Sequence, residues 1–162
     1  MKITVNPRIV CTFAMVSAFP LAGSAAGFVD DASANLNLRN FYINRNFTNP
    51  ANAQSKAEEW TQSFILDAKS GFTQGPVGFG VDALGLLSIK LDGGKGTRGT
   101  QLLPVGSDGS PVDDFGRLAV AGKMKVSKTE VKVGEWMPVL PILRSDDGRS
   151  LPQTFQGGQL TS

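Results

Sequence analysis

Eight basic side chains, Arg39, Arg45, Lys69, Lys90, Arg117, Lys123, Lys125 and Lys132, fall in segments where apolar residues recur at every second position. Only Asp67, Asp82 and Glu130 share their phase. Catalysis is a poor use of such a set. The chain has no histidine to act as a base, its one cysteine is Cys11, and no Gly-x-Ser-x-Gly elbow occurs. Gly93-Gly94-Lys95-Gly96-Thr97 resembles a phosphate loop, but Lys95 is followed by Gly rather than Ser or Thr and no helical pattern follows. Asp108, Asp113 and Asp114 lack the spacing of a calcium loop. Asp113-Asp114 and Asp146-Asp147 are adjacent loop residues, not paired acids across a cleft. No enzyme, cofactor or metal site is expected. Along the wall of a confined passage, however, an excess of ammonium and guanidinium groups makes a positive potential that concentrates anions and lowers their barrier to passage. The competing use is structural: such groups pair across neighbouring strands, Lys69 with Asp82 for example, and hold the wall together.

Period-two segments must position these residues. The clearest is Val77–Leu91, in which Val77, Phe79, Val81, Ala83, Gly85, Leu87, Ile89 and Leu91 alternate with Gly78, Gly80, Asp82, Leu84, Leu86, Ser88 and Lys90. A strand points successive side chains to opposite faces, so one surface is wholly apolar and the other carries a carboxylate, a hydroxyl and an ammonium. As a helix the stretch would set Asp82 and Lys90 in apolar surroundings, and each of its three glycines would cost about 1 kcal/mol. At roughly 3.3 Å per residue it is near 50 Å long, which suits a tilted membrane-spanning strand better than an ordinary globular one. Val81→Arg, on the lipid side, is therefore expected to cost about 2–4 kcal/mol, and Asp82→Arg, on the wet side, much less.

Four more strands are expected. Ala34–Phe47 puts Leu36, Leu38 and Tyr42 on one face and Asn35, Asn37, Arg39 and Arg45 on the other, with Phe41 and Ile43 joining the polar set; Phe41, Tyr42 and Phe47 suit a membrane interface. Glu58–Phe72 puts Trp60, Gln62, Phe64, Leu66, Ala68 and Phe72 on the apolar face, Trp60 and Phe72 standing as girdles near its two ends. Arg117–Ser127 alternates again, Lys128-Thr129 turns, and Glu130–Met137 continues until Gly134-Glu135 breaks the phase as a bulge would. A sixth strand opens before Ser162.

The beginning of the chain is of another kind. Lys2 and Arg8, the apolar run Ile9–Ala22 and the small residues Gly23-Ser24-Ala25-Ala26 have the layout of a secretory signal peptide, residues 1–26. With it go Cys11 and two of the 16 basic residues, leaving as many basic as acidic groups in 27–162. A nucleic-acid partner is not expected of such a chain.

The connections alternate: long (Thr48–Glu59), short (Thr73–Pro76), long (Asp92–Asp114), short (Lys128-Thr129), long (Pro138–Pro152). Outer-membrane barrels have short periplasmic turns and longer external loops. Five strands and the start of a sixth cannot close around a lumen, so an N-terminal fragment of a longer barrel is expected. The alternative is a secreted or surface β-rich adhesive domain without channel activity.

Leu38-Arg39-Asn40-Phe41-Tyr42 with Arg45, Trp60-Thr61-Gln62, Ser70-Gly71-Phe72-Thr73-Gln74-Gly75, Val77–Ala83, Lys90-Leu91-Asp92-Gly93, Asp113-Asp114, Val126-Ser127-Lys128-Thr129, Lys132 with Gly134-Glu135, and Pro152-Gln153-Thr154 together resemble the front of an OprD-type outer-membrane porin. The resemblance implies an all-β transmembrane barrel of about eighteen strands in full length. It implies a bacterial outer-membrane location reached through the periplasm, and passive diffusion of small carboxylate-bearing solutes. The implied partners are outer-membrane lipid and small anionic or zwitterionic solutes, with the protein a monomer or weak homotrimer. It also implies that Pro138–Pro152 folds into the lumen as a constriction loop, its candidates being Arg144, Asp146, Asp147 and Arg149. Val139, Leu140, Ile142 and Leu143 are then expected to pack on the inner wall and present Arg144 and Arg149 at the narrowest point.

Overall fold

The computed structural model describes residues 26–162. One turn of helix, α1 (Ala26–Asp30), leads into β1 (Ser33–Asn46), β2 (Lys56–Lys69), β3 (Val77–Asp92), β4 (Asp114–Val126), β5 (Thr129–Trp136) and β6 (Phe155–Thr161). The expected leader, Cys11 included, lies outside the described residues apart from Ala26. The strands lie in one sheet in sequence order, each antiparallel to the next. β1 and β6 are its edges, so the described residues form part of a barrel wall. Among them no helix is long and apolar enough to cross a membrane. The 16 residues of β3 exceed what a tilted strand needs to cross hydrocarbon.

The phase read from the sequence holds. In β3, Asp82, Leu84, Leu86 and Ser88 are buried, whereas Phe79, Val81, Leu87 and Ile89 are exposed. Register carries this phase across the wall: Asp82 opposes Lys69 and Ala121, and Leu86 opposes Ile65 and Arg117. The outer face is continuous and apolar, with Leu36, Leu38, Leu66, Leu118, Val120, Val133 and Leu160 exposed upon it. The core lies on the inner face, where Ile65, Leu84, Leu86 and Ala119 cluster beneath Met137 and Leu151. These last two residues belong to the loop that joins β5 to β6, near its two roots.

Three local expectations change. β2 ends at Lys69, so Phe72 is not an outward girdle. It turns inward, its ring 4.9 Å from the Lys123 ammonium and 5.6 Å from that of Lys125. Room for it comes from Gly78, where an added Cβ would sit 3.1 Å from the Cβ of Phe72 and 2.9 Å from the Thr73 carbonyl oxygen. Phe41 faces inward with the polar set, as its phase predicts, opposite buried Thr61, and so does not stand on the membrane side as an interface aromatic would. Tyr42 and Trp60, which oppose each other, and Phe79 are aromatics exposed on the outward phase near the two ends of the wall. The tight turn is Ser127-Lys128, one residue earlier than expected, with Ser127 at φ 54°.

The expected irregularity at Gly134 is present: its φ is 143°, and β5's pairing with β4 ends there. Beyond it Glu135 reaches the inner face, where it meets Arg117. In the loop joining β3 to β4, the Ser110 N–H donates to Asp108 Oδ1 at 3.0 Å and holds that carboxyl below its ordinary range. A lowered carboxyl favours the turn above the ordinary pKa and releases it as pH falls through the lowered one.

Candidate functional site

Strand register gathers the basic set onto one side of the wall. Arg39 opposes Ser63, Arg45 opposes Ala57, Lys90 opposes Thr61, Arg117 opposes Leu86 and Lys123 opposes Gly80. Lys69 opposes Asp82, Lys125 opposes Glu130, and Lys132 opposes Lys123. Asp67 and Asp82 stand on the same face. All ten expected wall residues, eight cations and two aspartates, thus lie together on the phase that faces away from the apolar surface.

Most of them are already engaged. Asp82 is held by two ammoniums: Lys132 Nζ donates to Oδ2 at 2.5 Å, and Lys123 Nζ lies 2.7 Å from Oδ1 as an ion pair outside hydrogen-bonding angles. Lys123 also donates to the Ser70 carbonyl at 2.7 Å, and Lys132 lies 5.4 Å from the Trp136 ring centre. Lys69, expected to pair with Asp82, pairs instead with Asp67 at 2.9 Å. The reason is competition: two lysines from β4 and β5 already occupy both Asp82 oxygens. Lys90 pairs with Asp113 at 2.6 Å and donates to the Pro111 carbonyl. Arg117 holds Glu135 with two nitrogens, at 2.5 and 3.0 Å. Among the described residues, Arg45, Lys125, Arg144 and Arg149 form no ion pair, and neither does Glu130.

The loop joining β5 to β6 folds back across the inner face of the described wall. Arg39 of β1 anchors it, pairing with Asp147 at 2.7 Å and donating to the carbonyls of Asp147 (3.3 Å) and Arg149 (2.9 Å). Beside that anchor is a cavity of about 230 Å³, lined in part by Asn37, Ile65, Met137 and Arg144. The expected packing of the loop's apolar residues is not seen. Val139 is 79% exposed and Ile142 95%, because Leu140 and Leu143 close a small turn by mutual backbone hydrogen bonds of 2.9 and 3.2 Å. That turn holds its tip off the wall. Met137, Pro138, Leu151 and Pro152, at the loop's two roots, take its place against the inner face. Arg144, Asp146, Asp147 and Arg149 are all exposed on it, with Asp146 Oδ1 accepting from the Gly148 N–H at 3.0 Å.

A second polar set, Glu59, Thr61, Ser63, Ser88 and Ser150, is fully buried; phase put Ser88 on the inner face, but the burial of the set and the places of Glu59 and Ser150 in it were not read from the sequence. Thr61 meets Ser150 at 2.8 Å, and Ser63 donates to Ser88 at 3.0 Å. Period two does carry a signal for Glu59, which shares the phase of Thr61 and Ser63. Ser150 has none, since only the folded loop brings it to β2.

The family model for outer membrane porins of the OprD family matches residues 26–162. A porin-like protein of Pseudomonas putida, GalP, is 71% identical over 154 residues, 95% of this chain and 37% of its own length. The crystal structure of a BenF-like porin from Pseudomonas fluorescens Pf-5 superposes with a TM-score of 0.78 at 79% identity, covering 84% of this chain and 35% of that one. That of Pseudomonas aeruginosa OccK2 in complex with glucuronate gives a TM-score of 0.64 at 63% identity, covering 83% and 30%. This chain therefore spans about a third of the length of the relatives it matches. A wall with one apolar and one charged face, a long inward-folded loop and a family match over every described residue lead to one assignment: the chain belongs to the OprD family of outer-membrane porins.

Proposed function

We propose that the full-length protein is a passive diffusion channel for small carboxylate-bearing solutes, with this segment supplying part of its basic inner wall. The observation that carries the reading is the imbalance left after pairing. The inner carboxylates Asp67, Asp82 and Glu135 are each matched by cations, Asp82 by two, and Asp113 and Asp147 of the loops by Lys90 and Arg39, while Glu59, Glu130 and Asp146 have no ion pair among the described residues. Arg45, Arg144 and Arg149 have no acidic partner among the described residues, and Lys125 faces only Glu130 across the β4–β5 pair. In a narrow passage with low-dielectric walls that residue of positive charge favours anions. Glucuronate, found with the OccK2 relative, is a small carboxylate of the kind such a wall would attract. Candidate solutes are amino acids and aromatic or other organic acids.

The test is the reversal potential of the full-length channel under a salt gradient, with Arg45, Lys125 and Arg144 each changed to Glu. Each variant should shift permeability toward cations. If none does, the basic face of this segment is structural and the reading fails for these residues. Lys123 is a poor probe, since changing it breaks the Asp82 cluster before it alters the field.

A further inference from the structure

Glu59 is fully buried, and no lysine or arginine pairs with it among the described residues. Burying a carboxyl is costly unless donors replace its water. Here the replacements come from one short turn of the loop joining β3 to β4: the N–H of Gly99 (3.2 Å), the hydroxyl of Thr100, and the N–H of Leu103 (3.3 Å). To aim those donors at one carboxyl the turn takes two left-handed residues, Gly99 at φ 101° and Gln101 at φ 70°. The carbonyls of the same turn point to other partners. Leu102 accepts from the Ser150 hydroxyl at 3.2 Å, and Gln101 accepts from the Arg149 guanidinium at 3.4 Å. Ser150 in turn meets Thr61, two residues along β2 from Glu59. One turn is thus gripped from below by Glu59 and grips the constriction loop on its other side.

We propose that Glu59 is a positioning residue for the channel: it touches no solute, but fixes the turn 99–103 and through it the residues 149–150 that hold the constriction loop against the wall. The inference rests on the channel reading only for its electrical readout. Arg39 fastens the loop at Asp147, and the Glu59 turn fastens it at Ser150. Losing the second anchor leaves the loop pinned at one side and free to swing, rather than detached.

The experiment uses the full-length channel carrying this sequence, with folding checked by heat-modifiable mobility. Glu59→Ala strands the buried Leu103 N–H and the buried Thr100 hydroxyl, and the population of displaced loop should rise roughly tenfold or more. Glu59→Gln, which keeps one acceptor oxygen, and Thr100→Val should give smaller rises. Two readouts follow the loop. One is excess open-channel current noise. The other is the rate at which Ser150→Cys, at a fully buried position, reacts with a thiol reagent in each background. A disulfide between Thr61→Cys and Ser150→Cys, formed with oxidised glutathione, should return the Glu59→Ala channel to wild-type noise; a general loss of stability would not be cured in this way. Folded Glu59→Ala channels with wild-type noise, and with the Ser150→Cys thiol still protected, would overturn the proposal. If Glu59→Ala does not fold, wild-type behaviour in both Glu59→Gln and Thr100→Val overturns it instead. A wild-type protein that conducts nothing counts against the channel reading, while the thiol-protection arm still decides the role of Glu59.

Discussion

Replacing Asp82 should unsettle the wall more than its lumen-facing position suggests. Alternation alone predicts that water reaches this carboxylate, and that Asp82→Arg is cheaper than Val81→Arg. The folded chain argues against that order. Asp82 is 7% exposed, and the side chains of Lys123 and Lys132 are 9% and 16% exposed. The two lysines oppose each other directly across β4 and β5. Removing the carboxylate leaves two largely buried ammoniums facing one another with no anion between. Breaking a buried pair by deleting one partner costs about 3–5 kcal/mol, and like charges directly opposite on neighbouring strands add to it. Asp82→Asn should therefore cost about 3 kcal/mol, some of the loss being recovered through the amide oxygen. Asp82→Arg, which places a third cation in the cluster, should cost at least as much as the roughly 2–4 kcal/mol of a lipid-facing arginine. Urea unfolding of the full-length channel in lipid vesicles, followed by heat-modifiable mobility, measures both. Adding Lys132→Met to Asp82→Asn should restore part of the loss, because one stranded charge is then gone. A loss below about 1 kcal/mol for Asp82→Asn, with no recovery in the double variant, would refute the reasoning, since it would place the cluster on the scale of exposed ion pairs.

Val81→Arg should lower the same unfolding free energy by about 2–4 kcal/mol if the position lies near the bilayer midplane, and a neutral result would overturn the outward assignment of that phase. Gly134→Ala should cost about 1–3 kcal/mol, because φ 143° is closed to a Cβ and the added carbon would strike the Val120 carbonyl and Ala121; an unchanged midpoint would show that β5 can relax there. Residues 27–162 expressed alone should give no reproducible single-channel steps in planar bilayers, since β1 and β6 are open edges in hydrocarbon. Regular steps from that segment would mean that copies close a barrel together.

Period two and turn chemistry made the wall legible because both are local. Each strand sorts its own side chains without reference to a neighbour, so Val77–Leu91 could be phased before any pairing was known. Arg39, Arg117, Lys123 and Lys132 could be placed on the inner face for the same reason. What those residues touch was not legible. Lys69 stands opposite Asp82, yet the pair does not form, because the outcome depends on how far two lysines from later strands reach. Phe72 misled in the opposite way: its position continues the apolar phase of β2, but the strand has already ended at Lys69, and phase means nothing past a strand's end.

The loops show where sequence pattern gives out in physical terms. Apolar residues in a loop suggest burial, and by that rule Val139 and Ile142 should lie against the wall. The turn closed by Leu140 and Leu143 satisfies backbone groups at the tip, and the surface it would cover is already filled from the loop's roots by Met137 and Leu151. The polar residues do the holding instead. Arg39 to Asp147, Thr61 to Ser150 and Ser150 to Leu102 are contacts between residues 48 to 108 positions apart, and each fastens backbone that no strand ladder reaches. Water around the tip favours its burial, but the apolar surface that could receive it is already covered by Met137 and Leu151. A wet face does permit a loop to be fixed by hydroxyls and charges, provided the fixing groups are themselves sealed from that water, as Thr61 and Ser150 are. A loop held in this way is set by directional bonds rather than by packing, so single-atom changes such as Glu59→Gln should move its shape while leaving the wall folded.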